Sequence, residues 1–254
     1  MDSGGVYMER IKAVILAAGK GTRMKSELPK VLHKALGKPM VNYSIEAAKE
    51  AGAKDQDICL VVGHKAEQVK EVVGNAVTYV TQKEQLGTGH AVKCAKEFIG
   101  DDGLTMVLCG DTPLITGKTL RKLVENHIQE GNVITVLSAV AEDPTGYGRI
   151  IKDAEGRFVK IVEQKDATEE EQKVKEINSG MYMFNSKALS LALSELSNDN
   201  AQGEYYLTDT IEIVKEKALG KVAAMVIEDI DEIKGVNSPE QLTEAEDILR
   251  KRSR

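Results

Sequence analysis

Residues 12–24 read KAVILAAGKGTRM, an apolar run followed at once by a turn that holds two glycines, a lysine and an arginine. A short apolar run without polar alternation is typical of a strand buried on both faces of a parallel sheet. Glycines directly after such a strand let backbone N–H groups approach an anion, and the basic side chains add positive charge. The stretch therefore predicts a parallel α/β sheet with a phosphate-binding turn at the end of its first strand.

Two familiar phosphate-binding motifs do not match this turn. A Walker A loop requires GxxxxGK[ST], and the dinucleotide-binding fingerprint requires GxGxxG, whereas Met24 stands at the third glycine position here. A tight turn with a solvated basic surface is the competing interpretation of the two glycines alone. The turn by itself leaves both interpretations open.

Strands and helices are predicted to alternate beyond the turn. Because strands that alternate with helices form a doubly wound, mostly parallel sheet, we expect ligands at the carboxyl ends of the strands. Apolar runs predict strands at 58–63, 76–81 and 104–111, and helical spacing predicts helices at 40–52, 64–74 and 89–100.

The pattern changes after about residue 140. Two alternating segments within 148–164 flank a hairpin signal at 153–156, and with a third strand at 176–185 they predict a small antiparallel β insertion. Helical patterns at 186–197 and 206–219 and a strand at 222–228 follow. The fold expected from these patterns is α/β, Rossmann-like, with a mixed, mostly parallel sheet.

A C-terminal helix is predicted by its starting residues. Ser238 is a good N-cap, Pro239 suits the first helical position, and Gln241 completes a capping box. One face of this helix carries an apolar stripe that either packs on the domain or binds a partner. The stripe consists of Leu242, Ala245, Ile248 and Leu249.

Charge favours a small anionic ligand over a nucleic acid. The 254 residues carry a net charge of −6, which disfavours a nucleic-acid partner, yet residues 8–38 hold eight basic and only two acidic side chains. A compact cationic segment on an otherwise acidic protein suits a small polyanion such as the phosphates of a nucleotide.

Other classes of protein are disfavoured by what the sequence lacks. Without an apolar run of ~20 residues or a cleavable leader, we expect a cytoplasmic protein with no membrane partner. Three cysteines without a CxxC pair and four histidines without HxxxH spacing argue against a disulfide framework and a zinc site. Residues 1–7 precede Met8 and show no pattern, so we expect them to be disordered or left from an alternative start or from cloning.

Several blocks resemble one enzyme family in consecutive order. LAAGKGTRM followed by LPKVLHKALGKPMV is similar to the signature of sugar-phosphate nucleotidyltransferases, which have the nucleotide-diphospho-sugar transferase fold. The resemblance is strongest to the N-terminal uridyltransferase domain of the bacterial bifunctional N-acetylglucosamine-1-phosphate uridyltransferase/glucosamine-1-phosphate acetyltransferases. The further blocks are EQLGTGHA, CGDTPLI, DPTGYGRI, IVEQKDA, EINSGMY, NAQGEYYLTD and GVNSPEQL.

The resemblance implies a reaction in which UTP and N-acetylglucosamine 1-phosphate give UDP-N-acetylglucosamine and pyrophosphate, with Mg²⁺ as cofactor, for cell-envelope precursor synthesis. The nucleophile is a phosphate oxygen, which is already ionised near neutral pH because its second pKa is about 6. No general base is required, and the site must align two polyanions and neutralise their charge. Cations, glycines and metal-ligand candidates fit this chemistry.

Three alternative functions remain at this stage. The first keeps the reaction but joins glucose 1-phosphate to UTP or dTTP, and the second is a non-catalytic, nucleotide-sugar-sensing subunit of the same fold. A sensor performs no catalysis and could lose Arg23, Lys30 or Asp111 without harm. All three residues are present, which favours an enzyme. A hydride-transferring dehydrogenase is the most distant alternative, because the third glycine of its fingerprint is missing.

The resemblance also assigns site residues. Some have a purely structural alternative: Asp111 as a turn acid, Asn237 as a cap, Thr88 as a helix cap, and Tyr206 in a helix start. The catalytic residues are Arg23, Lys30 and Asp111; the nucleotide-binding residues are Leu16, Ala17, Ala18, Gly19, Gly21, Arg23, Lys30, Gln82, Gln85, Gly87, Thr88 and Gly110; the sugar-binding residues are Gly148, Glu163, Asn178, Tyr206 and Thr208; and the Mg²⁺ ligands are Asp111 and Asn237.

The expected domain is residues 8–237, with a nucleotide-binding part at about 8–140 and a sugar-binding part at about 141–237. Residues 238–254 are expected to form the C-terminal helix and the start of a linker arm. Bifunctional members of the family trimerise through a β-helix of hexapeptide repeats. Since this sequence contains no such repeats, we expect a monomer.

Overall fold

The computed structural model describes residues 9–200 and 202–253, and the expectation for residues 1–7 lies outside them. The strands in this part are β1 (Ile11–Ala17), β2 (Lys34–Ala35), β3 (Lys38–Pro39), β4 (Ile58–Val62), β5 (Thr78–Thr81), β6 (Leu104–Cys109), β7 (Asn132–Val140), β8 (Arg149–Lys152), β9 (Phe158–Val162), β10 (Glu176–Asn185) and β11 (Lys221–Ile227). The helices are α1 (Met40–Glu50), α2 (Ala66–Val73), α3 (Thr88–Cys94), α4 (Lys96–Ile99), α5 (Gly117–Gln129), α6 (Glu169–Gln172), α7 (Ser186–Glu195), α8 (Asp209–Glu216) and α9 (Pro239–Arg252). Short 3₁₀ turns lie at Thr22–Met24, Lys30–Leu32, Asp55–Asp57 and Ile230–Ile233.

One mixed sheet forms the centre of the molecule. Its strands follow the order β11, β7, β10, β6, β1, β4, β5, and the β8–β9 hairpin joins it through β10. The strand β1 pairs in parallel with both β4 and β6, and β10 runs antiparallel to both β6 and β7. The predicted doubly wound, mostly parallel α/β sheet is therefore confirmed.

Helices cover both faces of this sheet, which explains the unbroken apolar runs of its central strands. One apolar cluster joins the sheet to α1, α2 and α5, and a second joins the opposite face to α3, α4, α7 and α8. Ala13, Val14 and Ile15 of β1 are fully buried between the two layers. Burial of a side chain such as Ile15 contributes roughly 1.5–3 kcal/mol to stability.

The strand β10 has a different place from the one the sequence indicated. We expected residues 176–185 to belong to the antiparallel insertion, and Ile177 does pair with Arg149 of the hairpin. From Tyr182 to Asn185, however, β10 pairs with β6 inside the main sheet. A bulge between Asn178 and Tyr182 separates these two parts, and Gly180 lies there with φ +77°.

Two elements were absent from the sequence prediction. The helix α5 begins after Thr116, whose side chain accepts a hydrogen bond from the backbone N–H of Thr119. It leads into β7, a nine-residue strand in which six residues are apolar. In addition, the helix predicted at 89–100 is interrupted at Ala95, which separates α3 from α4.

The C-terminal helix α9 packs on the domain. Ser238 caps it by accepting a hydrogen bond from the N–H of Gln241 at 3.3 Å. The Gln241 side chain accepts from the N–H of Asn237 at 2.7 Å, so the second bond of the expected capping box goes to the residue before the cap. The predicted apolar stripe lies against Met40, Leu114 and Val236. None of the helices in residues 9–200 and 202–253 is long and apolar enough to cross a membrane.

Candidate active site

A cleft of about 720 Å³ opens at the carboxyl ends of β1, β5 and β6. This is the edge at which ligands of parallel α/β sheets bind. Three parts of the chain enclose it: the strand ends, the loop after β9, and the segment before α8. The predicted site residues that line it are Leu16, Ala17, Ala18, Gly19, Lys30, Gln82, Gln85, Gly87, Thr88, Asp111, Glu163, Tyr206 and Thr208.

The two glycines of the first turn have different roles. Gly21 has φ +61°, and a Cβ atom there would lie 2.6 Å from Lys30 Cβ. The turn can therefore pack against Lys30 only because residue 21 has no side chain. Around Gly19 there is no atom within 4 Å of a would-be Cβ, so this glycine leaves open space at the mouth of the cleft.

Arg23 lies outside the lining of the cleft. It sits in the 3₁₀ turn Thr22–Met24, where Met24 is buried and Arg23 is exposed. Among the described residues its guanidinium has no ion-pair partner. The turn thus keeps an exposed arginine beside the cleft.

Lys30 lies at the floor of the cleft and connects two side-chain oxygens, one that lines the cleft and one just outside its lining. Its Nζ donates to Asp111 Oδ2 and, at 3.0 Å, to Asn237 Oδ1. The side chains of Lys30 and Asp111 are 16% and 21% exposed, so the pair is partly shielded from water. Two predicted Mg²⁺ ligands therefore converge on one cationic atom.

Backbone hydrogen bonds fix the positions of Asp111 and of the segment that carries Asn237. The N–H of Val236 donates to the carbonyl oxygen of Asp111 at 2.8 Å, which places the residues before α9 beside the end of β6. The N–H of Gly110 donates to the carbonyl oxygen of Leu16 at 2.9 Å. A Cβ atom at residue 110 would lie 2.9 Å from that oxygen, so Gly110 permits the close approach of β6 to β1 without lining the cleft.

Gln82 lies at the opposite end of the cleft and is 4% exposed. Its backbone N–H donates to Val62, and its Nε2 lies 3.1 Å from the carbonyl oxygen of Gly87. Thr88 does not cap α3, because Gly87 is the N-cap and Thr88 is the first residue of the helix. The Oγ1 of Thr88 instead accepts a hydrogen bond from the N–H of Leu207 at 3.2 Å. This bond joins the Gln82 end of the cleft to the segment before α8.

The hairpin supplies the third wall of the cleft. Glu163 follows β9, and burial raises the pKa of its carboxyl group, with a smaller contribution from Asp166. A Cβ atom at residue 148 would lie 3.3 Å from Glu163 Oε1, so Gly148 leaves room for this carboxylate.

Gly148, Asn178 and Asn237 do not line the cleft directly. Asn178 donates its Nδ2–H to the hydroxyl of Tyr182 at 2.9 Å and its backbone N–H to Gly148 at 2.9 Å. The structure thus brings Gly148 and Asn178 together behind Glu163.

Five polar lining residues were missed by the sequence analysis. Lys165 is the most informative of them, because it places a cation two residues after Glu163. It stands within the quoted block IVEQKDA, and a basic residue beside the carboxylate that is expected to bind the sugar was the available signal. The five are Lys165, Asp166, Gln202, Glu204 and Asp209.

Arg149 supports this wall from behind. It is 1% exposed and donates to Gln164 Oε1 at 2.6 Å, next to Glu163. Within the described residues its Nε has no hydrogen-bond partner. The buried guanidinium holds the loop that carries Glu163 and Lys165.

The cationic segment does not act as one patch. Arg10 pairs with Asp57 at 2.6 Å, and Lys12 is buried and pairs with Asp102 at 2.8 Å. Lys12 lies near the start of β1, at the edge of the sheet opposite the cleft. Only part of the local positive charge can therefore act on a ligand in the cleft.

A transition-metal site has no support in the described part of the chain. No group of three or more His, Cys, Asp or Glu side chains in residues 9–200 and 202–253 could hold a metal ion. Asp111 and Asn237 instead offer one carboxylate and one amide oxygen, a donor set suited to a hard cation such as Mg²⁺.

Comparison with known proteins gives one family and a group of similar sequences. The Nucleotidyl transferase family matches residues 12–235. The chain is 59% identical over 245 residues to the Bifunctional protein GlmU of Caldanaerobacter subterraneus subsp. tengcongensis, covering 96% of this chain and 53% of that protein. It is 54% identical over 241 residues to the Bifunctional protein GlmU of Clostridioides difficile, covering 95% and 52%. The chain spans about half the length of the curated relatives it matches.

A solved structure shows the same fold. It is described as a glucose-1-phosphate thymidylyltransferase from Bacillus anthracis in complex with a sucrose. The TM-score is 0.75 at 22% sequence identity, and the match covers 94% of this chain and 95% of that one. At this identity the likeness concerns the fold alone.

Proposed function

Because the chain belongs to the Nucleotidyl transferase family, we propose that it joins UTP and N-acetylglucosamine 1-phosphate to give UDP-N-acetylglucosamine and pyrophosphate. The product would serve the synthesis of cell-envelope precursors. The observation that carries this proposal is the convergence of Asp111 and Asn237 on Lys30 in a cleft that also contains Gln82 and Glu163. The 59% and 54% identities to GlmU proteins support the choice of substrates.

The cleft divides into two ends along the proposed domain boundary. Residues of the part 8–140 would bind UTP, with uracil at Gln82 and Thr88. Residues of the part 141–237 would bind the sugar, with Glu163 accepting hydrogen bonds from its hydroxyl groups. The segment 238–254 would pack as a helix and lead into a linker arm.

The reaction needs alignment and charge neutralisation. An oxygen of the sugar phosphate forms a bond to the α-phosphorus of UTP, and the bond from that phosphorus to the bridging oxygen of the β-phosphate breaks. Pyrophosphate leaves with the electron pair. Lys30 and Arg23 would stabilise negative charge on the phosphates, and open space at Gly19 would admit them.

A Mg²⁺ ion fits the donor set at Asp111 and Asn237. The fit rests on Lys30, whose ammonium group already attracts both oxygens to one point. When bound, Mg²⁺ would neutralise phosphate charge and orient the leaving pyrophosphate. Asp111 and Asn237 would hold the ion, and Lys30 beside them would add positive charge toward the phosphates.

The sugar end offers charges of both signs. The positive charge of Lys165 lowers the pKa of Glu163 against the larger, opposite effect of burial. This cation therefore lies close to the carboxylate that would bind the sugar hydroxyls. We propose that Lys165 receives the phosphate of the sugar 1-phosphate, and that Tyr206 and Thr208 complete the pocket with Gly148 and Asn178 behind it. We further propose that the chain acts as a monomer in the cytoplasm.

The test is pyrophosphate release in the presence of Mg²⁺. UTP, dTTP and CTP are each combined with N-acetylglucosamine 1-phosphate, with glucose 1-phosphate, and with no sugar phosphate. Release only from UTP with the N-acetylated sugar is the expected result, and Asp111→Asn should abolish it. A preference for glucose 1-phosphate would retain the reaction and reject the sugar assignment. Folded protein that is silent with every pair would instead favour a sensor.

A further inference from the structure

The amide of Gln82 has both of its N–H donors engaged. Nε2 lies 3.1 Å from the carbonyl oxygen of Gly87 and 3.1 Å from His90 Nδ1. A carbonyl oxygen can only accept, so the Gln82 atom beside Gly87 is the nitrogen. Gln82 therefore offers the cleft its Oε1, which accepts no hydrogen bond from any described residue.

His90 is itself held in one orientation. Because its Nδ1 accepts from Gln82, the proton of the neutral ring is on Nε2, which lies 4.0 Å from Cys94 Sγ. The ring also lies against Tyr205, with 6.0 Å between the ring centroids. His90 belongs to the first turn of α3, and it contacts Gln82 without lining the cleft.

A fixed acceptor distinguishes pyrimidine bases. Uracil and thymine carry an N3–H donor between two carbonyl groups, whereas N3 of cytosine is an acceptor. A glutamine amide that can turn over would serve either base, by presenting oxygen to one and nitrogen to the other. An amide held with its oxygen toward the base pairs with N3–H of uracil and repels N3 of cytosine.

We propose that His90 is a specificity-determining positioning residue, which together with the Gly87 carbonyl holds Gln82 as an acceptor and so selects uracil over cytosine. This inference rests on the proposed use of UTP. It assigns discrimination of the base to a side chain that does not touch the nucleotide.

The first experiment compares kcat/KM for UTP and CTP in the full chain. His90→Leu removes the acceptor for one Gln82 N–H, so the UTP preference should fall about tenfold, mainly through the nucleotide KM. His90→Asn places an amide oxygen near the position of Nδ1 and should restore the preference. His64→Leu replaces an exposed histidine before α2 and is the matched control.

Each outcome decides the inference. A folded His90→Leu variant that keeps its UTP preference within twofold, or loses activity equally with both nucleotides, overturns it. If wild-type protein releases pyrophosphate from neither nucleotide, the result rejects the proposed function itself and, with it, the inference about His90. Nitrogen NMR of the wild-type His90 ring gives a test that requires no variant, because a proton on Nδ1 contradicts the proposed hydrogen bond.

Discussion

Lys30 is the side chain that joins the two candidate metal ligands of the site. Its ammonium group is bonded to Asp111 and Asn237, which come from distant parts of the sequence. Without it, a carboxylate and an amide oxygen would face each other with no cation between them. The family resemblance gave Lys30 a role toward phosphates, but its contacts with both metal-ligand candidates depend on three chain segments meeting and could not be predicted locally.

Lys30→Met keeps much of the aliphatic stem and removes the charge. We expect kcat to fall by about 10²–10³, the usual loss when one electrostatic contact to a transition state is removed. Steady-state pyrophosphate release measures it, with thermal unfolding to verify the fold. Lys34→Met, at an exposed lysine nearby, is the control. A kcat within threefold of wild type would contradict the assignment.

Arg23→Ala tests the residue that the structure leaves outside the cleft lining. If the exposed guanidinium reaches the phosphates only as charge develops, kcat should decrease more than KM increases. The melting temperature should not change, since the described residues offer Arg23 no ion-pair partner. An unchanged kcat with a raised KM would mean that Arg23 contributes to ground-state binding only. Arg157→Ala, at the hairpin turn, serves as a surface control.

At the scale of elements, the first turn is shaped by a contact that the sequence pattern did not reveal. The glycines were interpreted as room for an anion, and Gly19 fits that interpretation. Gly21 instead combines a left-handed backbone with close packing against Lys30. The apolar runs predicted the central strands well because both faces of those strands are buried. The position of β10 within the main sheet was not predictable, because the residue pattern of a strand does not determine which other strands it pairs with.

Gly21→Ala should therefore disturb both the turn and Lys30. The left-handed φ of +61° costs roughly 1 kcal/mol for alanine, and the new Cβ would have to displace Lys30 Cβ. We expect a lower melting temperature together with a reduced kcat. Gly156→Ala is a matched control, because Gly156 has φ +77° with no atom within 4 Å of a would-be Cβ. Equal melting temperatures for the two variants would argue against the steric contact with Lys30.

At the scale of the whole molecule, charge is distributed less simply than the sequence suggested. The basic residues of 8–38 looked like one phosphate-binding patch, but Arg10 and Lys12 pair with acids at the opposite edge of the sheet. Sequence shows the number of charges in a segment, whereas the direction of each strand decides which edge receives them. Another polar group, His127, lies buried in α5 away from the cleft.

Stability should depend on pH through His127. Burial lowers the pKa of His127 from its usual 6.5 to about 4. Between these values the unfolded chain binds a proton that the folded chain does not, so the contribution to stability is complete above pH 6.5 and decreases as the pH falls. We expect the free energy of unfolding to drop by about 2 kcal/mol between pH 7.5 and 5 from this group.

Urea unfolding of wild type and His127→Asn at several pH values measures this effect. The carboxyl groups common to both proteins cancel in the difference, and the asparagine can still accept a hydrogen bond near Thr135, the present partner of His127 Nδ1. The variant should lose less stability on acidification. Parallel pH profiles for the two proteins would contradict the role of His127.

The contact between Lys30 and Asn237 spans 207 positions of the chain. During synthesis the chain emerges from its amino end, so β1, the first turn and Lys30 are available long before Asn237. The ribosome must complete nearly the whole domain before the second oxygen donor reaches Lys30. Under the proposed function, the pair of Mg²⁺ ligands is therefore complete only after residue 237 has been made, and a chain that ends before this residue lacks one of the two oxygens.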